Sequence, residues 1–361
     1  MIPVLCPTIS EKTKQEMMKV LDSGWWGYGL KTIEFEKRFA DYVGAKFAIG
    51  ANSGTAALDL CLKAYNIKGG ELITTPMTFV SDAIVGEFNG MDVTFADIDE
   101  DTLCIDPQAV EVSENTKAII AVDSHGRIAD IDSLRAKFKG LIIEDAAHAM
   151  LTPGAGKKGD ITIWSFQAVK TLPTGDGGMV TTNDEKVYKR LRTLTWLGVE
   201  KHTYERAEGK RYTWDYDITQ ADGIKAYMND LTAVIGLGQL DRLEEMTAKR
   251  RAIQCVYNDN FKDIDLIKIP LFSHTVQYYT MKCEKRDELS DFLASKEIAT
   301  SVHFKPLSEM TYWKKAVKRP LPVTDRVWKE LLTLPCHDAL TWTQVEYIIS
   351  MVREFYLSYN K

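Results

Sequence analysis

Residues 140–180 read GLIIEDAAHAMLTPGAGKKGDITIWSFQAVKTLPTGDGGMV. Leu141-Ile142-Ile143 is a short apolar run of the kind that forms a buried strand, and it ends in two acids, Glu144 and Asp145. Open α/β sheets bind ligands outside the carboxyl ends of their strands, so an acid there faces a site. A second apolar run, Ile161 to Phe166, follows a glycine-rich loop, and Lys170 stands four residues beyond it. Gly175-Asp176-Gly177-Gly178 then lets the backbone turn sharply into a third run, Met179 to Thr182.

A lysine and a strand-end aspartate about 25 residues apart suit one chemistry in particular. Pyridoxal phosphate (PLP) is held as a lysine Schiff base, with an acid on its pyridinium nitrogen to keep the ring an electron sink. Singly, a solvated lysine and a turn aspartate explain either residue as well, so the weight falls on the rest of the chain.

With 361 residues the chain can bury one large core and a smaller second one. Hydrophobic residues at 45% and charged residues at 27% describe an ordinary globular protein. The net charge of −6 is spread without long blocks, which gives no nucleic-acid footprint and no polybasic membrane patch. MIPVLCPTIS at the N-terminus has neither a basic n-region nor a long apolar h-region, and no run approaches the length of a membrane span. The six cysteines (Cys6, Cys61, Cys104, Cys255, Cys283, Cys336) make no CxxC pair and read as reduced cytosolic thiols, most of them packing residues. The histidines show no metal-ligand spacing, so no metal is expected. A cytoplasmic location follows from these features.

Ser10 is placed to cap a first helix ending at Gly24, and Trp25-Trp26-Gly27-Tyr28-Gly29 follows as a loop whose aromatic rings pack beneath the sheet or line a pocket. Thr32 reads as the cap of a second helix with Phe35, Phe39 and Tyr42 on its core face. From Lys46 onward strand, turn and helix alternate: 47–49, 72–73, 93–95 and 118–122 are strands, with helices after Thr55 and after Phe79. That alternation implies parallel βαβ units with helices on both faces of a mostly parallel sheet. Residues 197–228 lack periodicity and read as an excursion. A long helix from Asp230 to about Tyr257 carries Leu231, Val234, Leu237, Leu240 and Leu243 at helical spacing. Beyond it come strands at 276–283 and 299–303 and helices at 286–296 and 341–356, with Thr341 and Gln344 as a capping box. The expected division is a large α/β domain over 1–240 and a smaller α+β domain over 241–361.

Ser53-Gly54-Thr55 lies between a strand and a helix, where free backbone N–H groups and the helix dipole favour a phosphate and the glycine allows close approach. No GxxxxGK[ST] accompanies it, which disfavours a nucleotide triphosphatase. Several motifs occur in one order: Asn-Ser-Gly-Thr-Ala-Ala-Leu (52–58), Pro76-Met77-Thr78-Phe79, Glu144-Asp145-Ala146-Ala147-His148-Ala149, Ser165-Phe166 with Lys170, and Gly175-Asp176-Gly177-Gly178. Met228-Asn229-Asp230, Gly236-x-x-Gln239-Leu240 and His303-Phe304-Lys305-Pro306-Leu307 follow. Over nearly its whole length the chain resembles the DegT/StrS-type family of PLP-dependent sugar aminotransferases.

The resemblance implies a fold-type I transferase, usually a homodimer with sites at the subunit interface. It implies transfer of an amino group from glutamate or glutamine to a keto group on a nucleotide-linked sugar or a cyclitol. Matched motif to motif, it makes Lys170 the Schiff-base lysine and Asp145 the partner of the pyridine nitrogen. Phe79 would stack on the ring and His148 would lie near its hydroxyl side. Ser53, Gly54, Thr55 and Ser165 would hold the phosphate. Two positions depart from the family pattern. Gly223-Ile224-Lys225 occupies a segment where many members carry an asparagine that reaches the neighbouring subunit's cofactor phosphate, and Lys225 would serve there as a point charge. Gln167 stands where histidine or an aromatic is frequent. A branch that replaces the lysine with histidine dehydrates deoxysugars, and Lys170 argues against it. A non-catalytic PLP-binding regulator on the same fold is the remaining alternative. The aromatic loop 25–29, Trp196 and the residues Arg206, Lys210, Arg211 and Trp214 offer flat faces and cations for a nucleotide-linked acceptor.

Overall fold

The computed structural model describes residues 1–207 and 216–359. Seven strands form the main sheet: β1 (Phe47–Ala51), β2 (Glu71–Thr74), β3 (Asp92–Phe95), β4 (Thr116–Val122), β5 (Leu141–Asp145), β6 (Ile161–Ser165) and β7 (Gly178–Thr182). Their spatial order is β1-β7-β6-β5-β4-β2-β3. All pairings among β2 to β6 are parallel, while β7 runs antiparallel to both β1 and β6. The sheet is therefore mostly parallel, as the alternation predicts. The sharp turn through 175–178 is what sends β7 back antiparallel, with Gly175 at φ +95°.

Both faces are covered. Ile120, Val122, Ile143 and Ile163 share one core with the helix Gly54–Ala64, and Trp164, Phe166 and Met179 share another with Phe35 and Phe39. The first helix runs Glu11–Asp22 with Ser10 as its cap, as expected. The second runs Leu30–Val43, so Gly29 and not Thr32 precedes it. Thr32 is instead buried, and its Oγ1 donates to Asp230 Oδ1 at 2.7 Å, tying this helix to the start of the long one. Phe35 and Phe39 are wholly buried, whereas Tyr42 is exposed and its hydroxyl donates to Glu244 Oε1 at 3.0 Å. The expected core face is thus shorter by one turn.

The long helix spans Asp230–Phe261. Leu237, Leu240, Leu243 and Met246 belong to the same core as Phe35, while Ile253, Tyr257 and Phe261 enter a separate one. That second core lies against a three-stranded antiparallel sheet of β8 (Ile267–Lys268), β9 (Tyr279–Cys283) and β10 (Leu331–Leu334), in the order β10-β9-β8. It is completed by the helices Arg286–Ser295 and Trp342–Tyr359. Thr341 and Gln344 form the expected capping box: Thr341 N donates to Gln344 Oε1 at 2.9 Å and Gln344 N to Thr341 Oγ1 at 3.2 Å. The strand expected at 299–303 is reduced to one bridge, between Ser301 and Thr333 on the outer edge of β10. Residues 197–228 begin with a short helix, Thr203–Ala207, and return through bridges Val199 to Ile218 and Trp196 to Lys225. Lys210, Arg211 and Trp214 lie outside the described residues. Among the described residues no helix is long and apolar enough to cross a membrane.

Candidate active site

Val122, Asp145 and Ser165, the last residues of β4, β5 and β6, open together into a cavity of about 440 Å³. This is the position at which open α/β sheets place their ligands. The alternation of side chains along β5 sends its two acids opposite ways. Glu144 faces the glycine-rich loop and accepts the N–H groups of Gly156 at 2.6 Å, Gly159 at 3.0 Å and Lys158 at 3.2 Å, so it fastens that loop. Asp145 faces the cavity, and its Oδ1 accepts from Ala147 N at 2.8 Å.

Lys170 reaches the same cavity from the turn after β6, where its N–H donates to the Gln167 carbonyl at 2.8 Å. Desolvation lowers its ammonium pKa to about 8, against the opposite pull of Asp145 and Asp82. Asp82 did not stand out in the sequence. It belongs to the helix Ser81–Phe88, is almost wholly buried, and accepts from Thr78 Oγ1 at 2.6 Å through Oδ2. Its Oδ1 has no donor among the described residues. Burial and then the neighbouring Asp145 push its pKa well above the usual carboxylate range. Burial raises Asp145 too, against the hydrogen bonds from Asp82 and Ala147 and the charge of Lys170. Two desolvated carboxyls beside one amine cannot both ionise cheaply, so one proton is favoured on the pair, and Asp82 is the more strongly raised of the two.

His148 lines the cavity, and burial holds it neutral, its pKa well below the ordinary value. Its ring lies nearly parallel to Phe304 at 5.8 Å, and its Nδ1 has no partner among the described residues. Phe79 lines the cavity too and stays 59% exposed, so an aromatic face is open to it. Ser53 caps the helix Gly54–Ala64 by accepting from Ala56 N at 3.1 Å, which commits its side-chain oxygen to the backbone. The N–H groups of Gly54 and Thr55 have no carbonyl within the helix to receive them. A Cβ on Gly54 would stand 3.1 Å from Ser165 Oγ, so the glycine lets helix and strand end approach. Ser165 and Gln167 also line the cavity, and Gln167 Oε1 accepts from Val169 N at 3.0 Å.

Lys225 is the one expected site residue that the fold does not bring into this cavity. It is exposed, its Nζ stands 5.7 Å from the Trp196 ring centre, and its carbonyl accepts from Asn52 Nδ2 at 3.5 Å. Tyr278, His303 and Phe304 reach the cavity from the far end of the chain. Tyr278 and His303 stack with ring centres 3.8 Å apart, and burial lowers His303 to about 4. The sequence marked His303 and Phe304 only as part of a matching motif, and Tyr278 carried no signal. A second cavity, of about 240 Å³, is lined by Trp25, Trp26, Tyr28, Trp196, His202 and Tyr227. The aromatic loop thus lines a pocket instead of packing beneath the sheet.

These features fit PLP. An acid at a strand end can meet a pyridinium nitrogen, unpaired N–H groups at a helix start can meet a phosphate, an open aromatic face can cover a ring, and a lysine of lowered pKa stands among them. The comparisons agree. The DegT/DnrJ/EryC1/StrS aminotransferase family model matches residues 7–353. The chain is 36% identical to the spore coat polysaccharide biosynthesis protein SpsC of Bacillus subtilis, over 98% of this chain and 96% of that one. It superposes on the sugar aminotransferase CalS13 from Micromonospora echinospora with a TM-score of 0.87 at 27% identity, covering 98% of this chain and 100% of that one. On the PLP form of Spr1654 from Streptococcus pneumoniae the TM-score is 0.89 at 29% identity, covering 99% of each chain. The fold is that of the fold-type I PLP-dependent transferases, and the protein belongs to the DegT/DnrJ/EryC1/StrS family as a PLP-dependent sugar aminotransferase.

Proposed function

We propose that this enzyme moves an amino group from glutamate or glutamine to a keto group of a nucleotide-linked sugar, with Lys170 and Asp145 as its catalytic residues. The observation that carries the chemical part is the meeting of Lys170, Asp145, Phe79 and the Ser53-Gly54-Thr55 helix start in one cavity. When bound, PLP supplies an electron sink for the bond at the amino-bearing carbon. With the cofactor bound, Lys170 would be the base that moves the proton from the donor carbon, because desolvation makes a neutral amine available near pH 8. Asp145 would hold the proton at the ring nitrogen, and Asp82, the more strongly raised carboxyl, would leave Asp145 the charge to do so. Phe79 and neutral His148, which line the same cavity, would hold the ring, Phe79 by its open aromatic face. The N–H groups of Gly54 and Thr55 hold the phosphate, with Ser165 opposite them. Ser53 shapes that helix start as its cap.

The acceptor class rests on the second cavity, which brings the loop 24–28 against Trp196, His202, Thr203 and Tyr227. Flat aromatic surfaces of that kind suit a nucleobase or a sugar face. Exposed Lys225, outside the cavity of its own chain, supports a homodimer in which it reaches the neighbouring subunit's cofactor phosphate. The division of the chain near residue 240 belongs to the same proposal, since the long helix changes cores between Met246 and Ile253.

The test is steady-state kinetics with glutamate or glutamine and a nucleotide-linked keto sugar, the same sugar without its nucleotide, and a keto-cyclitol. A kcat/KM at least about a hundredfold higher for the nucleotide-linked acceptor is expected. Equal values for the first two, or preference for the cyclitol, would reject the carrier requirement.

A further inference from the structure

The turn that carries Lys170 is gripped from the other end of the chain. Gln277 Nε2 donates to the Val169 carbonyl at 2.7 Å, and Thr171 Oγ1 donates to Gln277 Oε1 at 2.8 Å. One amide therefore holds the residue before the lysine and the residue after it. Gln277 is wholly buried and Thr171 nearly so, so no solvent competes for these bonds. The arrangement uses both ends of an amide. A carbonyl must face the NH₂ group, so the other end can only be the acceptor that takes the Thr171 hydroxyl proton.

The segment that presents Gln277 is itself fixed from two sides. Gln254 of the long helix exchanges two hydrogen bonds with the Ser273 backbone, each 3.2 Å. Thr275 Oγ1 lies 2.9 Å from Thr152 Oγ1 and accepts from Leu151 N at 3.1 Å, which joins it to the turn after β5. Between them Val276 is held at a φ of 45°, with its N–H donating to Ser273 Oγ at 3.0 Å. A β-branched residue is a steric outlier at that angle, and it persists only where the surroundings over-determine it. The strained step sits immediately before Gln277, and the next residue, Tyr278, lines the cavity and stacks on His303.

We infer that Gln277 is a positioning residue for the amine of Lys170: a rigid bracket running from residue 273 to residue 278 sets the lysine's backbone against the strand ends that hold its partners. The inference rests on the reading of Lys170 as the cofactor lysine. A base that must work at more than one atom gains from a fixed backbone, because small misplacements are expensive in rate. The bracket acts on the main chain on either side of Lys170 and makes no bond to the lysine side chain itself.

The experiment uses the PLP-loaded enzyme and the substitutions Gln277→Met, Thr171→Val and Thr171→Ser. Gln277→Met keeps the length and volume of the side chain and removes both bonds. Wild-type enzyme is first reduced with borohydride and its labelled peptide mapped. A label on Lys170 secures the reading beneath the inference, and a label on another lysine overturns both. With Lys170 labelled, Gln277→Met and Thr171→Val are expected to lower kcat about ten- to a hundredfold. The KM for the amino donor stays within about twofold, because the bracket acts on the base and not on substrate binding. The pH midpoint of the bound cofactor's absorbance shifts in both variants, and Thr171→Ser, which keeps the hydroxyl, restores kcat and midpoint together. In cofactor-free protein, amide hydrogen exchange over residues 168–171 speeds up in Gln277→Met and stays at the wild-type rate in Thr171→Ser. A purely structural bracket would lower only the thermal midpoint. Wild-type kcat, absorbance midpoint and local exchange in Gln277→Met would therefore overturn the inference. Should Gln277→Met fail to fold, the threonine pair decides: Thr171→Val indistinguishable from Thr171→Ser in kcat and absorbance midpoint overturns it equally.

Discussion

Asp82 and Asp145 meet inside the main cavity as a buried carboxyl pair, with Thr78 Oγ1 donating to Asp82 at 2.6 Å and Ala147 N to Asp145 at 2.8 Å. They come from elements whose strands are not neighbours, since β4 lies between β2 and β5. Only Lys170 supplies a cation among the groups that act on both. Both carboxyls are pushed up by burial, Asp82 the more strongly, which assigns a shared proton to Asp82 and the negative charge to Asp145.

That assignment predicts opposite outcomes for two substitutions at Asp82. Asp82→Asn keeps a neutral donor against Asp145 and is expected to retain most of the turnover. Asp82→Leu leaves Asp145 and Thr78 facing an apolar group, and kcat/KM is expected to fall about tenfold or more, the worth of a hydrogen bond to a buried charge. Equal losses in the two variants would show that Asp82 acts as an anion.

Asp145→Asn is expected to retain PLP, which the phosphate and ring contacts still hold, and to lose transamination by about a hundredfold or more. An amide cannot hold the charge of a protonated ring nitrogen. Near-normal turnover with a normal cofactor spectrum would give Asp145 a structural role.

The lowered pKa of Lys170 sets a pH dependence for cofactor capture. Below about 8 the side chain is an ammonium and cannot attack an aldehyde, and above it the free amine is present. The rate at which cofactor-free protein takes up PLP is expected to rise with pH to a plateau, with its midpoint near 8 rather than at the ordinary lysine value. Stopped-flow absorbance measures it. A rate still climbing in proportion to hydroxide above pH 9 would mean that Lys170 is not desolvated in solution.

Gly54→Ala tests the phosphate end. The new methyl would meet Ser165 Cβ and Oγ at 3.1 Å, so the helix start or the end of β6 must give way by a few tenths of an ångström. PLP affinity is expected to weaken about tenfold, which is about 1.4 kcal/mol, with the thermal midpoint of cofactor-free protein little changed. An unchanged dissociation constant in fluorescence titration would place the phosphate elsewhere.

How far the sequence foretold this site depends on chain separation. Asp145 and Lys170 were legible because each closes an apolar run or a turn within one 41-residue stretch, and strand ends of a parallel sheet share a side. Asp82 was not, because it reads as an ordinary acid in the first turn of a helix and gains meaning only from Asp145. Gln277 and Tyr278 lie more than a hundred residues beyond Lys170, on a segment whose shape depends on a strained Val276. Thr32 misled for the opposite reason. A threonine near a helix start suggests a cap, yet its hydroxyl serves Asp230, 198 residues away. Thr32→Val removes one of two hydrogen bonds to Asp230 Oδ1, which still accepts from Thr32 N at 2.9 Å, and is accordingly expected to cost about 1.5–3 kcal/mol in denaturant unfolding, the worth of a hydrogen bond to a charged group. The pairing of β7 with β1 and the strand β10 depend on long-range contacts, which local periodicity does not encode.

The most direct test of the account is to find which lysine carries the cofactor. Purified protein is expected to be yellow. Reduction with borohydride, proteolysis and mass spectrometry should find a phosphopyridoxyl group on one peptide, at Lys170. Lys170→Ala should abolish that label while the protein stays folded. A label on any other lysine, or an undiminished one in Lys170→Ala, would contradict the placement of the active site in this cavity.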